Sequence, residues 1–155
     1  MARKKNALRK HEIQEFSGYD ELTGEPTAPT ELWLRLGKWI TSITDSSADT
    51  TEEGGDYAGD GTPSTEVTAV AERWTFTGTY DEENPAQKLI VSKKREIGDA
   101  RKFWHRITYP NGDVYQGVAT STDPIGGSGE ATAFGDFSTV LNFDNTPVKV
   151  APVGG

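Results

Sequence analysis

The chain has 155 residues, 34% of them hydrophobic, which is enough for one modest core in a single domain. It contains no cysteine, which excludes disulfide frameworks, thiolate metal sites and cysteine nucleophiles, and His11 and His105 are its only histidines. Its net charge of −8 disfavours an ordinary grip on DNA, which cations drive by neutralising phosphates, and no apolar run approaches the ~20 residues of a membrane span.

Residues 1–7 read as a basic arm, followed by no apolar segment of the kind a secretory signal carries. Residues 8–16, with Leu8, Ile13 and Phe16 as the apolar positions, suggest a first short strand, with His11 exposed. A linker rich in Gly, Pro and Thr closes this N-terminal stretch (1–30), and the main domain is expected over 31–150. Residues 32–44 make the best strand, with Leu32, Leu34, Leu36 and then Ile40 after a break at Gly37.

Residues 45–64 (DSSADTTEEGGDYAGDGTPS) lack periodicity and read as a long loop, a feature that compact domains reserve for function or leave disordered. Residues 65–80 alternate, with Val67, Ala69 and Ala71, then Trp74, Phe76, Gly78 and Tyr80 after a shift of one. This predicts one long bulged strand. A helix is expected over about 85–96, opened by Asn84 as cap and Pro85 as first residue, with Gly98 as stop. Residues 102–109 and 114–122 form a hairpin across Asn111-Gly112. Gly126-Gly127-Ser128-Gly129 reads as a flexible hairpin tip, 132–143 and 148–150 as further strands, and 151–155 as a tail. The sum is six to eight strands and one helix, an all-β sandwich or barrel-like domain.

No catalytic, cofactor or metal set emerges. The acids lie in Gly/Ser/Thr-rich stretches that would not desolvate a carboxylate for glycosidase work. The stretch 54–61 lacks the spacing of a calcium loop, and the glycine cluster lacks the Lys-Ser/Thr of a phosphate cradle. His105 is expected on the polar face of its strand, with no nucleophile elbow to serve. The charges are segregated. Between Asp45 and Glu72 lie eight acids (Asp45, Asp49, Glu52, Glu53, Asp56, Asp60, Glu66 and Glu72) and no base. Lys93, Lys94, Arg95, Arg101 and Lys102 form a basic counterpart. These cations suit a helix C-terminus, and they also suit head-to-tail docking of the acidic loop of another copy.

Several segments follow in an informative order. Leu-Gly-Lys-Trp-Ile-Thr-Ser-Ile precedes the acidic loop with Asp-Tyr-Ala-Gly-Asp-Gly, and Trp-Thr-Phe-Thr-Gly-Thr-Tyr comes next. Asn-Pro-Ala-Gln-Lys-Leu-Ile, Arg-Lys-Phe-Trp-His-Arg-Ile, Tyr-Pro-Asn-Gly-Asp-Val-Tyr-Gln-Gly-Val-Ala and Phe-Ser-Thr-Val-Leu-Asn-Phe-Asp-Asn-Thr-Pro complete the series. This layout, over roughly residues 31–150, resembles the major tail tube proteins of long-tailed bacteriophages. The resemblance implies a β-sandwich with one flanking helix, whose strands join those of neighbouring subunits in a larger barrel. It implies a non-enzymatic virion protein, assembled in the host cytoplasm into stacked hexameric rings through which genomic DNA passes. The implied partners are copies of itself, tail tip or baseplate and terminator proteins, and a tape measure protein in the lumen; DNA is met only in transit, and no membrane is involved. The inter-subunit loop would comprise Asp45, Asp49, Glu52, Glu53, Asp56, Tyr57 and Asp60, ordered on assembly. An acidic wall would let DNA slide without sticking.

The competing reading is a β-sandwich binding module, a carbohydrate-binding domain or phage decoration protein, with Trp33, Trp39 and Trp104 as a sugar-stacking platform. Their place inside alternating strands makes core packing the simpler expectation.

Overall fold

The computed structural model describes residue 3 and residues 5–30, 32–54 and 61–150. The described elements are β1 (Lys10–Glu15), β2 (Leu34–Arg35), β3 (Ile40–Asp45), β4 (Ala48–Gly54), β5 (Ser64–Ala71), β6 (Arg73–Thr79), α1 (Pro85–Ser92), β7 (Lys102–Thr108), β8 (Val114–Ser128), β9 (Asp136–Phe143) and β10 (Val148–Val150). Short 3₁₀ turns at Asn6–Leu8 and Gly98–Arg101 lead into β1 and β7. The fold is all-β with a single helix, as the turn-rich, alternating sequence implies.

Eight strands form one antiparallel sheet in the order β2-β1-β7-β8-β9-β6-β3, with β10 on β8 below β9. Three strands separate β1 from β6, so a flat sheet would hold these two about 19 Å apart at ~4.8 Å per strand. Instead the ring of His11 on β1 meets Trp74 and Phe76 on β6 at 4.9 and 5.3 Å. The sheet therefore curls on itself into a half-barrel, and its concave face is the core.

Strict alternation fills that core. Phe103, His105 and Ile107 point inward from β7, Phe137, Thr139, Leu141 and Phe143 from β9, and Trp74 and Phe76 from β6. Each fully buried Phe, Leu or Ile contributes about 1.5–3 kcal/mol relative to exposure. Helix α1 closes one end through Ala86 and Ile90. It begins where Asn84 Oδ1 accepts the N–H groups of Ala86 and Gln87 at 3.0 and 3.3 Å, and Pro85 supplies the first turn. The buried Gln87 pins the helix in place, donating to Thr79 O at 3.2 Å and accepting from Asp81 N–H at 2.7 Å.

Several elements differ from the sequence reading, each for a local reason. The segment 32–44 is two strands on opposite edges of the sheet, because a turn at Gly37–Trp39 carries the chain across, with Trp39 in the left-handed region at φ 66°. That turn lies on Gly78, where a Cβ would come within 2.1 Å of Trp39 O, so only glycine fits. The segment 65–80 breaks at Glu72 into β5 and β6, which belong to different sheets; the one-residue shift in alternation marks a change of sheet rather than a bulge. The helix stops at Ser92, short of 96, as Lys93 N–H turns back to Ile90 O at 3.2 Å. Gly126 to Ser128 are not a hairpin tip: they end β8, where Gly126 gives Val91 of the helix room to pack. Leu8 sits exposed in a 3₁₀ turn outside the strand.

Both histidine expectations are overturned: His11 and His105 are fully buried in the core. Among the tryptophans only Trp74 is a core residue. Trp39 is 53% exposed. Trp33 lies under the Arg106 guanidinium at 4.3 Å, and the indole N–H of Trp104 donates to Thr27 O at 3.1 Å.

Candidate assembly surfaces

The acidic segment is built as a ribbon. β4 and β5 pair only with each other, and every residue of both strands is exposed. What read as a structureless loop is thus a two-stranded hairpin through Gly54, a form that is marginal in water without something to pack against. Its two faces differ by register. Ala48, Thr50, Glu52, Glu66, Ala69 and Ala71 share one side, while Asp49, Thr51, Val67 and Val70 share the other, the bulge at Thr68 switching the parity of β5. Glu52 stands directly opposite Glu66, a like-charge pair that weakens an isolated ribbon. Of the expected loop residues, Asp49, Glu52 and Glu53 lie on β4 and Asp45 ends β3. Asp56, Tyr57 and Asp60 lie outside the described residues.

The basic group is largely committed within the chain. Lys93 pairs with Glu15 at 2.8 Å, which raises its pKa through that hydrogen bond, and Lys102 pairs with Asp144. Arg101 donates to Lys94 O at 2.6 Å, Glu96 O at 3.0 Å and Ser121 O at 3.1 Å. It ties the end of the helix to β8. Lys94 and Arg95 remain exposed at the helix end. Among the described residues no ion pair joins the ribbon acids to these bases.

Besides the short β2 and β10, the curled sheet leaves two longer open edges. β3 pairs only with β6. β8 pairs with β7 through Lys102↔Thr120, and beyond that only with β9. Strands β3, β6, β9 and the distal half of β8 thus form a four-stranded unit with an unpaired strand at each side. Its convex face carries Ser42 and Thr44, Thr75 and Thr77, Ser138, Val140 and Asn142, and Thr120 and Thr122, and its two charges, Arg73 and Asp136, are opposite in sign. Asn142 Nδ2 bonds Thr122 Oγ1 at 3.1 Å, and Thr77 and Thr122 hydroxyls bond neighbouring carbonyls. It is a broad, hydroxyl-rich, nearly uncharged surface.

Inside the curl lies a polar pair. Arg9 Nε donates to His11 Nε2 at 2.8 Å, so His11 carries its proton on Nδ1 and donates it to His105 Nε2 at 3.0 Å. His105 then carries its own proton on Nδ1, a buried atom with no hydrogen-bond partner. Burial lowers both imidazoles, His11 to about 2, helped by His105 and Arg9, and His105 to about 3. Both are neutral and serve as core residues. The signal was present in sequence: His11 shares parity with Ile13, and His105 with Phe103 and Ile107. Among the described residues no three His, Cys, Asp or Glu side chains gather to hold a metal ion.

No protein-family model and no curated protein sequence matches the chain. Solved structures do resemble its fold. A chain from the tail of an empty GTA particle, refined with helical C6 symmetry, superposes with a TM-score of 0.62 at 9% identity, covering 96% of this chain and 100% of that one. A chain from the virion of a native gene transfer agent (GTA) particle gives 0.59 at 11% identity, covering 96% and 100%. A chain from the cap that terminates the tube of the anti-feeding prophage gives 0.55 at 14% identity, covering 97% and 93%. At these identities the likeness is one of fold, and the chain has the curled, one-helix β fold found in these tail and tube-cap structures.

Proposed function

We propose that the chain is a structural, non-enzymatic virion protein that self-assembles into stacked hexameric rings, forming a tail tube through which DNA passes. The observation that carries this reading is the four-stranded unit with an open edge at each side. An unpaired strand is a template for another strand, and two unlike edges on one subunit produce head-to-tail contacts that close into rings. The fold likeness to a tail with C6 symmetry suggests six copies. Six such units make a barrel on the order of 24 strands, wider than the 16–18 at which barrels leave an aqueous channel.

The hydroxyl-rich convex face then lines the channel. With a single cation per subunit it offers no counterion-release grip, so DNA slides along a neutral wall rather than the acidic one that charge composition suggests. The exposed ribbon, with Asp49, Glu52 and Glu53, projects to a neighbouring subunit or ring, which supplies the packing it lacks alone. Tail tip or baseplate and terminator proteins bound the tube, and a tape measure protein occupies the lumen until DNA enters.

Electron microscopy of the purified chain over a range of concentrations, with and without a tail-tip complex as initiator, tests this reading. Rings or hollow tubes are expected. A compact monomer under all of these conditions overturns it.

A further inference from the structure

We propose that the basic N-terminal arm of one subunit, residues 3–10, docks on the valine-bearing face of a second copy's ribbon. This contact rests on the assembly reading above and names what the ribbon packs against. In its own subunit the ribbon has no partner: its strands pair only with each other, and among the described residues no ion pair joins its acids to a base. Residues 46–71 hold six acids and no Lys or Arg. One face of the ribbon sets Asp49, Thr51 and Glu53 of β4 beside Val67 and Val70 of β5, and both valines are more than half exposed. That face calls for an occupant with an apolar group and cations, which would supply the packing a two-stranded ribbon lacks alone.

The arm presents both. Residues 1–11 hold five bases (Arg3, Lys4, Lys5, Arg9 and Lys10) and no acid. Leu8, more than half exposed, sits in a 3₁₀ turn closed by its N–H on Lys5 O at 3.0 Å, and Arg3, Lys5 and Lys10 are exposed around it. Arg9 takes no part, because His11 and the Trp74 ring hold its guanidinium. Arm and ribbon lie towards opposite ends of β3. Asn6 and Ala7 line a groove with Gly37, Lys38 and Ile40, at or before the start of that strand, while the ribbon leaves beyond Asp45, about 17 Å farther along. A subunit's arm and ribbon therefore address different neighbours, which is a head-to-tail contact. Around the arm the body is of mixed charge: Arg35 and Lys38 line the groove, and Asp81, Glu82 and Glu83 precede Asn84 beside it. The positive excess belongs to the arm itself. The helix end is a poorer occupant, since Glu96 and Asp99 follow its exposed Lys94 and Arg95, and Lys93 is already paired with Glu15.

Charge swaps at these exposed positions test the contact without touching the core. Arg3→Glu with Lys5→Glu should raise the critical concentration for ring or tube formation, read by light scattering and microscopy, about tenfold. Lys94→Glu with Arg95→Glu makes the same change in net charge and should leave that threshold nearly unchanged. Asp49→Lys with Glu53→Lys cuts the net negative charge, which alone would ease association, yet it should also raise the threshold about tenfold. Combining the arm pair with the ribbon pair should restore the wild-type value. An arm pair that acts no more strongly than the helix-end pair, a ribbon pair that lowers the threshold, or a combination that fails to restore it overturns the contact. If the wild type never assembles, the tube reading and the contact fall together. If it assembles and the swaps fail in any of these ways, only the contact falls.

Discussion

His11 donates its Nδ1 proton to Nε2 of His105 across 3.0 Å, joining β1 to β7 within a ring of Trp74, Phe76 and Phe143. The His105 imidazole lies flat on Phe143, 5.0 Å between centroids and 5° between planes. This neutral polar pair occupies the centre of the curl, where an apolar pair would be usual, and it gives the subunit a defined response to acid.

Stability should fall on mild acidification. The folded-state values, about 2 for His11 and about 3 for His105, lie below the ordinary 6.5, so the unfolded chain binds protons that the folded chain refuses. The stabilisation is full above about pH 6.5 and declines below it by about 1.4 kcal/mol per histidine per pH unit. Thermal melts between pH 7 and 5 should show the loss, and the pair His11→Phe with His105→Leu should flatten it. A wild-type melting temperature constant over that range contradicts the buried pair.

Gly78→Ala should be among the most damaging single-methyl changes in the chain. Its Cβ would meet Trp39 O at 2.1 Å and Ile40 Cα at 2.8 Å, both backbone, so the turn from β2 to β3 must move. A loss of about 1–3 kcal/mol is expected in chemical denaturation, as for overpacking elsewhere. A neutral effect would show that the crossing is looser than described.

Replacing the ribbon by a short turn between Ser47 and Glu72 should separate folding from assembly. Strands β4 and β5 pair only with each other, and every residue of both is exposed. The shortened subunit should therefore melt within a few degrees of the parent yet fail to form tubes. Tubes of normal length from the shortened chain would remove the ribbon from the assembly.

Thr77→Lys with Ser138→Lys should convert a neutral channel wall into a cationic one, since these residues pair across β6 and β9 on the convex face. Assembled tubes of this variant should retain DNA in a salt-dependent manner, while wild-type tubes retain none. Equal retention by both places that face elsewhere.

Local signals made parts of the fold legible in sequence. Asn111-Gly112 marked the β7–β8 hairpin, and Asn84-Pro85 marked the start of the helix. Period-two alternation also showed which residues of β6, β7 and β9 share a face. It does not show what covers that face. Val67, Ala69 and Ala71 alternate as a core strand does, yet they lie on an exposed ribbon. His11 reads as exposed in the sequence, although its parity with Ile13 puts it inward. The basic group was legible as a cluster, but Glu15, 78 residues from Lys93 in sequence, neutralises part of it. Such distant pairings, like the two open edges, exist only once the sheet has curled.

Edge-to-edge ring formation can be tested directly, because the chain has no cysteine. Thr41→Cys on β3 and Ile125→Cys on distal β8 would be introduced together and bridged with a short bis-maleimide after assembly. A ladder of cross-linked species ending at the hexamer is expected from the double variant, and no ladder from either single variant. Dimers from Thr41→Cys alone, or no cross-link between the two positions in assembled material, would contradict edge-to-edge ring formation.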